Sequence, residues 1–159
     1  MENVYSVYML VQTLKDVGMT VATAESCTGG LLGKLITDVP GSSAEYPGGV
    51  ISYSSRIKHE ILGVDQNDLD TLGPVSEPVA RRMAEGVRRV IGADLGVGIT
   101  GIAGPNSDDS GKPVGLVYVA ASDGETTLVR ECRFDGDRAA VRTQAAEAAA
   151  ELALMLIEN

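Results

Sequence analysis

Apolar residues Val4, Val7, Tyr8, Val11 and Leu14 recur at helical spacing near the start of the chain, and Gly18 stands where a C-cap would end that helix. Thr20 to Ala24 is short, β-branched and uncharged, the pattern of a buried strand. A Gly-rich start followed by the stripe Leu31, Leu32, Leu35 and Ile36 predicts a helix over Thr28 to Thr37. A Pro- and Gly-containing loop from Pro40 to Gly49 leads into a second strand, Val50 to Tyr53, and then a short helix holding Ile57, Ile61 and Leu62.

Ser76 with Glu77 and Pro78 marks the next helix start, and Val79, Met83, Val87, Val90 and Ile91 mark its buried face. Arg81, Arg82, Arg88 and Arg89 lie mostly off that stripe and read as a solvated face or a subunit contact. Asp94 to Thr100 alternates Leu95, Val97 and Ile99 with Gly96 and Gly98, a strand with one bare face that another backbone can approach closely. Val114 to Ala121 and Thr126 to Phe134 flank the turn Ser122-Asp123-Gly124-Glu125 as an antiparallel hairpin. Arg138 to Ile157 is Ala-rich and strongly helical, with Val141, Ala145, Ala148, Leu152 and Met155 facing inward. Helices alternate with strands before one hairpin appears. The prediction is an α/β fold, a three-layer α/β/α sandwich on a mixed, mostly parallel sheet of about five strands.

Composition narrows the class. The 159 residues are 44% hydrophobic and 22% charged, which suits one globular domain over residues 1–159 and excludes a disordered, collagen-like or disulfide-scaffold chain. Aromatics are only 4%, too few for the stacking platforms of a single-strand nucleic-acid binder, and a net charge of −9 disfavours nucleic acid and anionic membrane as partners. Two cysteines, Cys27 and Cys132, in a chain that needs no staple read as reduced thiols and point to the cytoplasm. The start lacks a basic leader before an apolar run, and no apolar stretch approaches a membrane span. Exposed arginine faces on a small domain suggest a homo-oligomer.

Three motifs sit at strand ends: Glu25-Ser26-Cys27-Thr28-Gly29-Gly30, Tyr53-Ser54-Ser55, and Thr100-Gly101-Ile102-Ala103-Gly104-Pro105. If the three strands are parallel, all three gather at the carboxyl edge of one sheet, where open α/β proteins bind ligands. Ser26, at a strand-to-helix turn, is either a nucleophile beside unpaired amides of Cys27, Thr28 and Gly29 or simply, like Thr28, a helix cap. Cys27 is a rival nucleophile or a small buried hydrophobe. Lys58, just past the second strand, serves a serine hydroxyl as base if partly desolvated, or is an ordinary surface lysine. Tyr53 relays the proton, orients the pair or is a plain strand aromatic, and His59 is the lone histidine. The glycines between Thr100 and Pro105 allow close approach of a nucleotide or merely shape a turn. Arg138 and Arg142 share a helix face, as a phosphate clamp or a solvated surface. The polar run Asn106 to Gly111 reads as a flexible loop. There is no Cys-x-x-Cys, His pair, complete EF-hand loop or Walker A sequence, so no metal is expected.

Ala24 to Gly30, Tyr53 through Lys58, Gly98 to Pro105, Lys112-Pro113-Val114-Gly115, and Gly136-Asp137-Arg138 with Val141-Arg142 together resemble the CinA C-terminal domain family, the nicotinamide-nucleotide amidohydrolases, over essentially the whole chain. The resemblance implies hydrolysis of the carboxamide of nicotinamide mononucleotide to nicotinate mononucleotide and ammonia, with no cofactor or metal. It carries catalytic roles to Ser26, Tyr53 and Lys58, and substrate binding is expected of Cys27, Thr28, Gly29, Gly30, Thr100, Gly101, Gly104 and Arg138. Two features depart from the family. The loop after Gly104-Pro105 is usually glycine-rich, whereas here Asn106-Ser107-Asp108-Asp109 intervenes, and acids near a phosphate are unfavourable unless they point away. Many relatives also carry an N-terminal domain resembling a molybdopterin-binding fold, not seen here, so its activities are not transferred. The rival reading is a non-catalytic nucleotide-binding or protein-interaction module linked to competence and DNA damage.

Overall fold

Helix α1 (Tyr5–Val17) ends on Gly18 at φ 71°, a left-handed conformation that glycine adopts without steric cost. The computed structural model describes residues 4–159. Five strands follow in one sheet: β1 (Val21–Glu25), β2 (Gly48–Ile51), β3 (Leu95–Gly101), β4 (Leu116–Ser122) and β5 (Thr127–Arg133), in spatial order β2-β1-β3-β4-β5. β1 pairs in parallel with both β2 and β3, whereas β3–β4 and β4–β5 are antiparallel, so β4 alone runs against the other four. The carboxyl ends of β1, β2 and β3 therefore share one edge.

Side-chain alternation divides the core between two faces. Val21 on β1 and Leu95, Val97 and Ile99 on β3 pack with α1, α2 (Leu31–Thr37) and α6 (Arg138–Glu158). Ala22 and Ala24 face the other way, toward α5 (Glu77–Ile91) and the segment that runs from Leu62 through α4 (Gln66–Thr71). On that side β3 presents Gly96 and Gly98. A Cβ at Gly96 would lie 2.0 Å from the Ala84 carbonyl oxygen and one at Gly98 2.8 Å from that of Ala80, so the bare face lets the backbone of α5 rest on the sheet. Each fully buried Leu or Val contributes roughly 1.5–3 kcal/mol by leaving water. These two packed layers are the main hold on the sheet edge that carries the site.

Several boundaries differ from expectation. The second strand begins at Gly48 and ends at Ile51, two residues before Tyr53; Gly49 fits where a Cβ would meet Thr23 O at 2.4 Å. The preceding loop holds a 3-10 turn, Ser42–Ala44, and a short helix, α4, capped by the Asp65 carboxylate on the Asn67 amide, appears where no element was expected. α2 starts at Leu31, three residues later than Thr28. The Ser76 hydroxyl donates to Gly73 O instead of capping α5. Val90 and Met155 face outward: Val90 lies in the last turn of α5, and α6 is so uniformly Ala-rich that periodicity does not select its buried side. The arginine row on α5 is engaged within the chain, Arg81 with Glu77, Arg82 with Glu85 and Arg88 with the Asp94 carbonyl.

Candidate active site

β1 delivers Ser26 to the sheet edge, and the residue after its strand is held firmly: the Ser26 amide donates to Ile99 O on β3 at 3.0 Å. The turn that follows is fastened at both ends. Glu25, only 2% exposed, points its carboxylate at α2 and accepts from the amides of Leu32 (2.8 Å) and Gly33 (3.0 Å). A buried anion thus occupies the positive end of α2, which neither Ser26 nor Thr28 caps. This overturns the cap reading of those two residues. What remains is the turn itself. The amides of Cys27 and Thr28 meet no carbonyl or carboxylate among the described residues, while Gly29 N–H donates to Ser26 O at 3.1 Å.

β2 and α3 (Ser55–Glu60) bring the base. The Ser54 hydroxyl caps α3 by accepting from the Ile57 amide, and one turn later Lys58 points back into the fold. Its Nζ donates to Ser26 Oγ at 2.8 Å, to Ser52 O at 2.7 Å and to Tyr53 O at 3.3 Å. Lys58 is 1% exposed, and no carboxylate lies among these partners. Burial without a counter-ion penalises the ammonium form and lowers the pKa of Lys58 from 10.5 to about 8. The reading of Lys58 as a surface lysine is therefore incorrect. The adjacent Cys27 thiol moves the opposite way, pushed up to about 11 by burial, and stays protonated at neutral pH. Both cysteines are free thiols.

A cleft of about 240 Å³ opens over this pair. Ser26, Cys27, Tyr53, Lys58, Thr100, Gly101, Gly104 and Arg138 all line it, whereas Thr28, Gly29 and Gly30 do not. Tyr53 contributes its carbonyl to Lys58; its side chain is 68% exposed at the mouth, and its hydroxyl bonds to none of the described residues. Arg138 Nη1 donates to Gly104 O at 2.7 Å, which ties the start of α6 to the turn after β3. Arg142 leaves the cleft and hydrogen-bonds the carbonyls of Cys27 and Thr28, so the two arginines do not form a clamp. His59 is also outside the cleft, and its Nδ1 lies 2.7 Å from Val64 O.

The wall formed by Pro74 and Val75 was not visible in the sequence. Thr100 Oγ1 donates to Pro74 O at 2.7 Å, and Lys112 Nζ reaches Leu72 O at 2.6 Å and also Val75 O, so two remote residues hold this loop over the cleft. The signal available was the polar Thr100 and Lys112 beside glycines, which has no direction until the chain is folded. Asp108 lines the cleft, but its Oδ1 accepts from the amide and hydroxyl of Ser110; Asp109 does not line it. Among the described residues no three His, Cys, Asp or Glu side chains gather to hold an ion. A larger hollow of about 560 Å³ between β5 and α6 is mainly apolar and has no paired nucleophile and base. Among the described residues no helix is long and apolar enough to cross a membrane.

The CinA C-terminal domain model matches residues 6–157. A CinA-like protein of Gloeothece citriformis is 55% identical over 112 residues, 70% of this chain and 27% of its own length. One of Syntrophomonas wolfei is 46% identical over 146 residues, 92% of this chain and 35% of its own. The chain thus spans about a third of the length of the curated relatives it matches. Among solved structures, a competence-damaged protein (CinA) superfamily protein from Klebsiella pneumoniae superposes with a TM-score of 0.94 at 31% identity, covering 100% of both chains. The competence/damage inducible protein CihA from Agrobacterium tumefaciens gives 0.91 at 35% identity, with 98% of this chain and 94% of that one covered. On sequence and on fold together, this chain belongs to the CinA C-terminal domain family.

Proposed function

We propose that the chain is a serine amidohydrolase that converts the carboxamide of nicotinamide mononucleotide to the carboxylate of nicotinate mononucleotide, releasing ammonia. The observation that carries this reading is the buried contact between Lys58 Nζ and Ser26 Oγ at 2.8 Å. A serine hydroxyl is a weak nucleophile until a base takes its proton, and a lysine with a pKa near 8 is neutral in a useful fraction of molecules at neutral pH. Neutral Lys58 accepts the Ser26 proton as Oγ attacks the amide carbon. The resulting ammonium gives that proton to the departing nitrogen, which leaves as ammonia. Water then cleaves the ester, with Lys58 again taking and returning a proton. The Cys27 amide, unpaired beside Ser26 at the cleft, receives the oxyanion, with Tyr53 at the cleft mouth and Arg138 at the side where a phosphate enters. We place this reaction in the cytoplasm, in keeping with the free thiols.

Incubating the protein with nicotinamide mononucleotide and measuring ammonia tests the proposal. Turnover by wild type and none by Ser26→Ala is the expected result. Binding of the nucleotide without ammonia release would favour the non-catalytic module instead.

A further inference from the structure

Arg142 does not touch the cleft, yet both of its hydrogen bonds land on the turn that carries Ser26. Nη2 donates to Thr28 O at 2.8 Å and Nε to Cys27 O at 3.1 Å, across more than a hundred residues of sequence. What lies on the far side of these carbonyls gives the contact its meaning. The Thr28 carbonyl shares a peptide group with the Gly29 N–H, which donates to Ser26 O at 3.1 Å. The Ser26 carbonyl in turn shares a peptide group with the Cys27 N–H, and Cys27 lines the cleft beside Ser26. These peptides are trans, so each C=O and its N–H point in opposite directions, and fixing one aims the other. A positive charge at the head of such a chain also polarises the bonds that follow, by roughly 10–30% each.

We infer that Arg142 is a positioning residue whose guanidinium, acting through the Thr28–Gly29 and Ser26–Cys27 peptide groups, aims and polarises the Cys27 N–H as the donor for the oxyanion. The inference rests on the reading of Ser26 as nucleophile. A second feature supports it. Glu25 sets a buried negative charge on the same turn, directed at the amides of Leu32 and Gly33, and an anion forming at Ser26 would be repelled by it. Arg142 is a permanent cation bonded to the carbonyls of this turn.

A fluorophosphonate probe tests this independently of the natural substrate. Ser26 Oγ bonds to phosphorus, fluoride leaves, the hydroxyl proton passes to Lys58 and then to solvent, and a phosphoryl oxygen takes the oxyanion position. Wild type is expected to label at Ser26. Arg142→Ala should label at least about tenfold more slowly, short of the 10²–10³-fold lost when an oxyanion donor is removed outright. Arg142→Lys, whose single ammonium reaches one carbonyl, should fall between. The pH midpoint of labelling should stay the same in all three, because Arg142 does not contact Lys58. Rates within twofold of wild type, or a slower rate with a shifted midpoint, would overturn the inference. Thermal melting checks the fold. If Arg142→Ala does not fold, Arg142→Lys decides: slower labelling at an unchanged midpoint supports the inference, and a wild-type rate refutes it. If wild type itself fails to label at Ser26, the nucleophile reading falls, and this inference falls with it.

Discussion

Lys58 Nζ lies 2.8 Å from Ser26 Oγ, a contact made by residues 32 positions apart on different elements. β1 brings one to the sheet edge, and α3, the helix after β2, brings the other to it. Lys58 also donates to the carbonyls of Ser52 and Tyr53, so its direction is set before any substrate arrives. The pair is preorganised, and the burial that directs the lysine also lowers its affinity for a proton.

Ser26 and Cys27 are adjacent, and the structure separates their chemistry. Ser26→Ala should reduce ammonia release to background, whereas Cys27→Ala should keep most of it, because the thiol is pushed up to about 11 and has no base bonded to it. Steady-state assays on both variants check this. Loss of activity in Cys27→Ala with retention in Ser26→Ala would reverse the assignment.

Lys58→Arg separates a base from a bare positive charge. Arginine stays protonated at neutral pH, so the variant should be almost as inactive as Lys58→Ala, with losses on the order of 10²–10⁴-fold. The wild-type rate should rise with pH and level off above about 8, since the proposed mechanism uses the neutral lysine. A rate within a few-fold of wild type in Lys58→Arg would sink the base mechanism.

The same lysine leaves a mark on stability. Its folded pKa, about 8, lies below the ordinary 10.5, so between these values the unfolded chain binds more protons and stability rises with pH. At and below neutral pH the burial of the ammonium is a standing cost. Relative to Lys58→Met, wild type should gain about 2 kcal/mol between pH 7 and pH 9.5. Urea denaturation of both proteins at the two pH values measures the change. A constant difference would show that Lys58 titrates normally in the folded protein.

Arg138 stands at the cleft and is anchored to Gly104 O, which leaves the rest of its guanidinium for a phosphate. Arg138→Ala should raise KM more than it lowers kcat, since under the proposed function it holds the substrate phosphate in both ground and transition states. Arg142→Ala should do the opposite. An unchanged KM in Arg138→Ala would make Arg138 a tie between α6 and the β3 turn and nothing more.

The sequence by itself determined most of the elements and the mixed α/β class of the sheet, because alternation, helical spacing and glycine punctuation are local properties. Leu95, Val97 and Ile99 against Gly96 and Gly98 announced a strand with one packed and one bare face, and α5 does rest on that bare face. Elements whose signal was short or uniform were read less well. Tyr53 fell outside its strand, α4 was missed, and Met155 faced outward on a helix where alanine runs all round. At the site, Ser26, Tyr53 and Lys58 were named from motif resemblance, while spacing left Ser26 undecided between cap and nucleophile and Lys58 between surface and base. The tertiary structure settled where these side chains lie. Glu25 took over the helix terminus, Arg142 turned from Arg138 toward the Ser26 turn, and Thr100 with Lys112 drew Pro74 and Val75 over the cleft. A proton affinity or a hydrogen-bond direction depends on what the fold packs around a group, and for Lys58 it is burial in the folded chain that lowers the affinity for a proton.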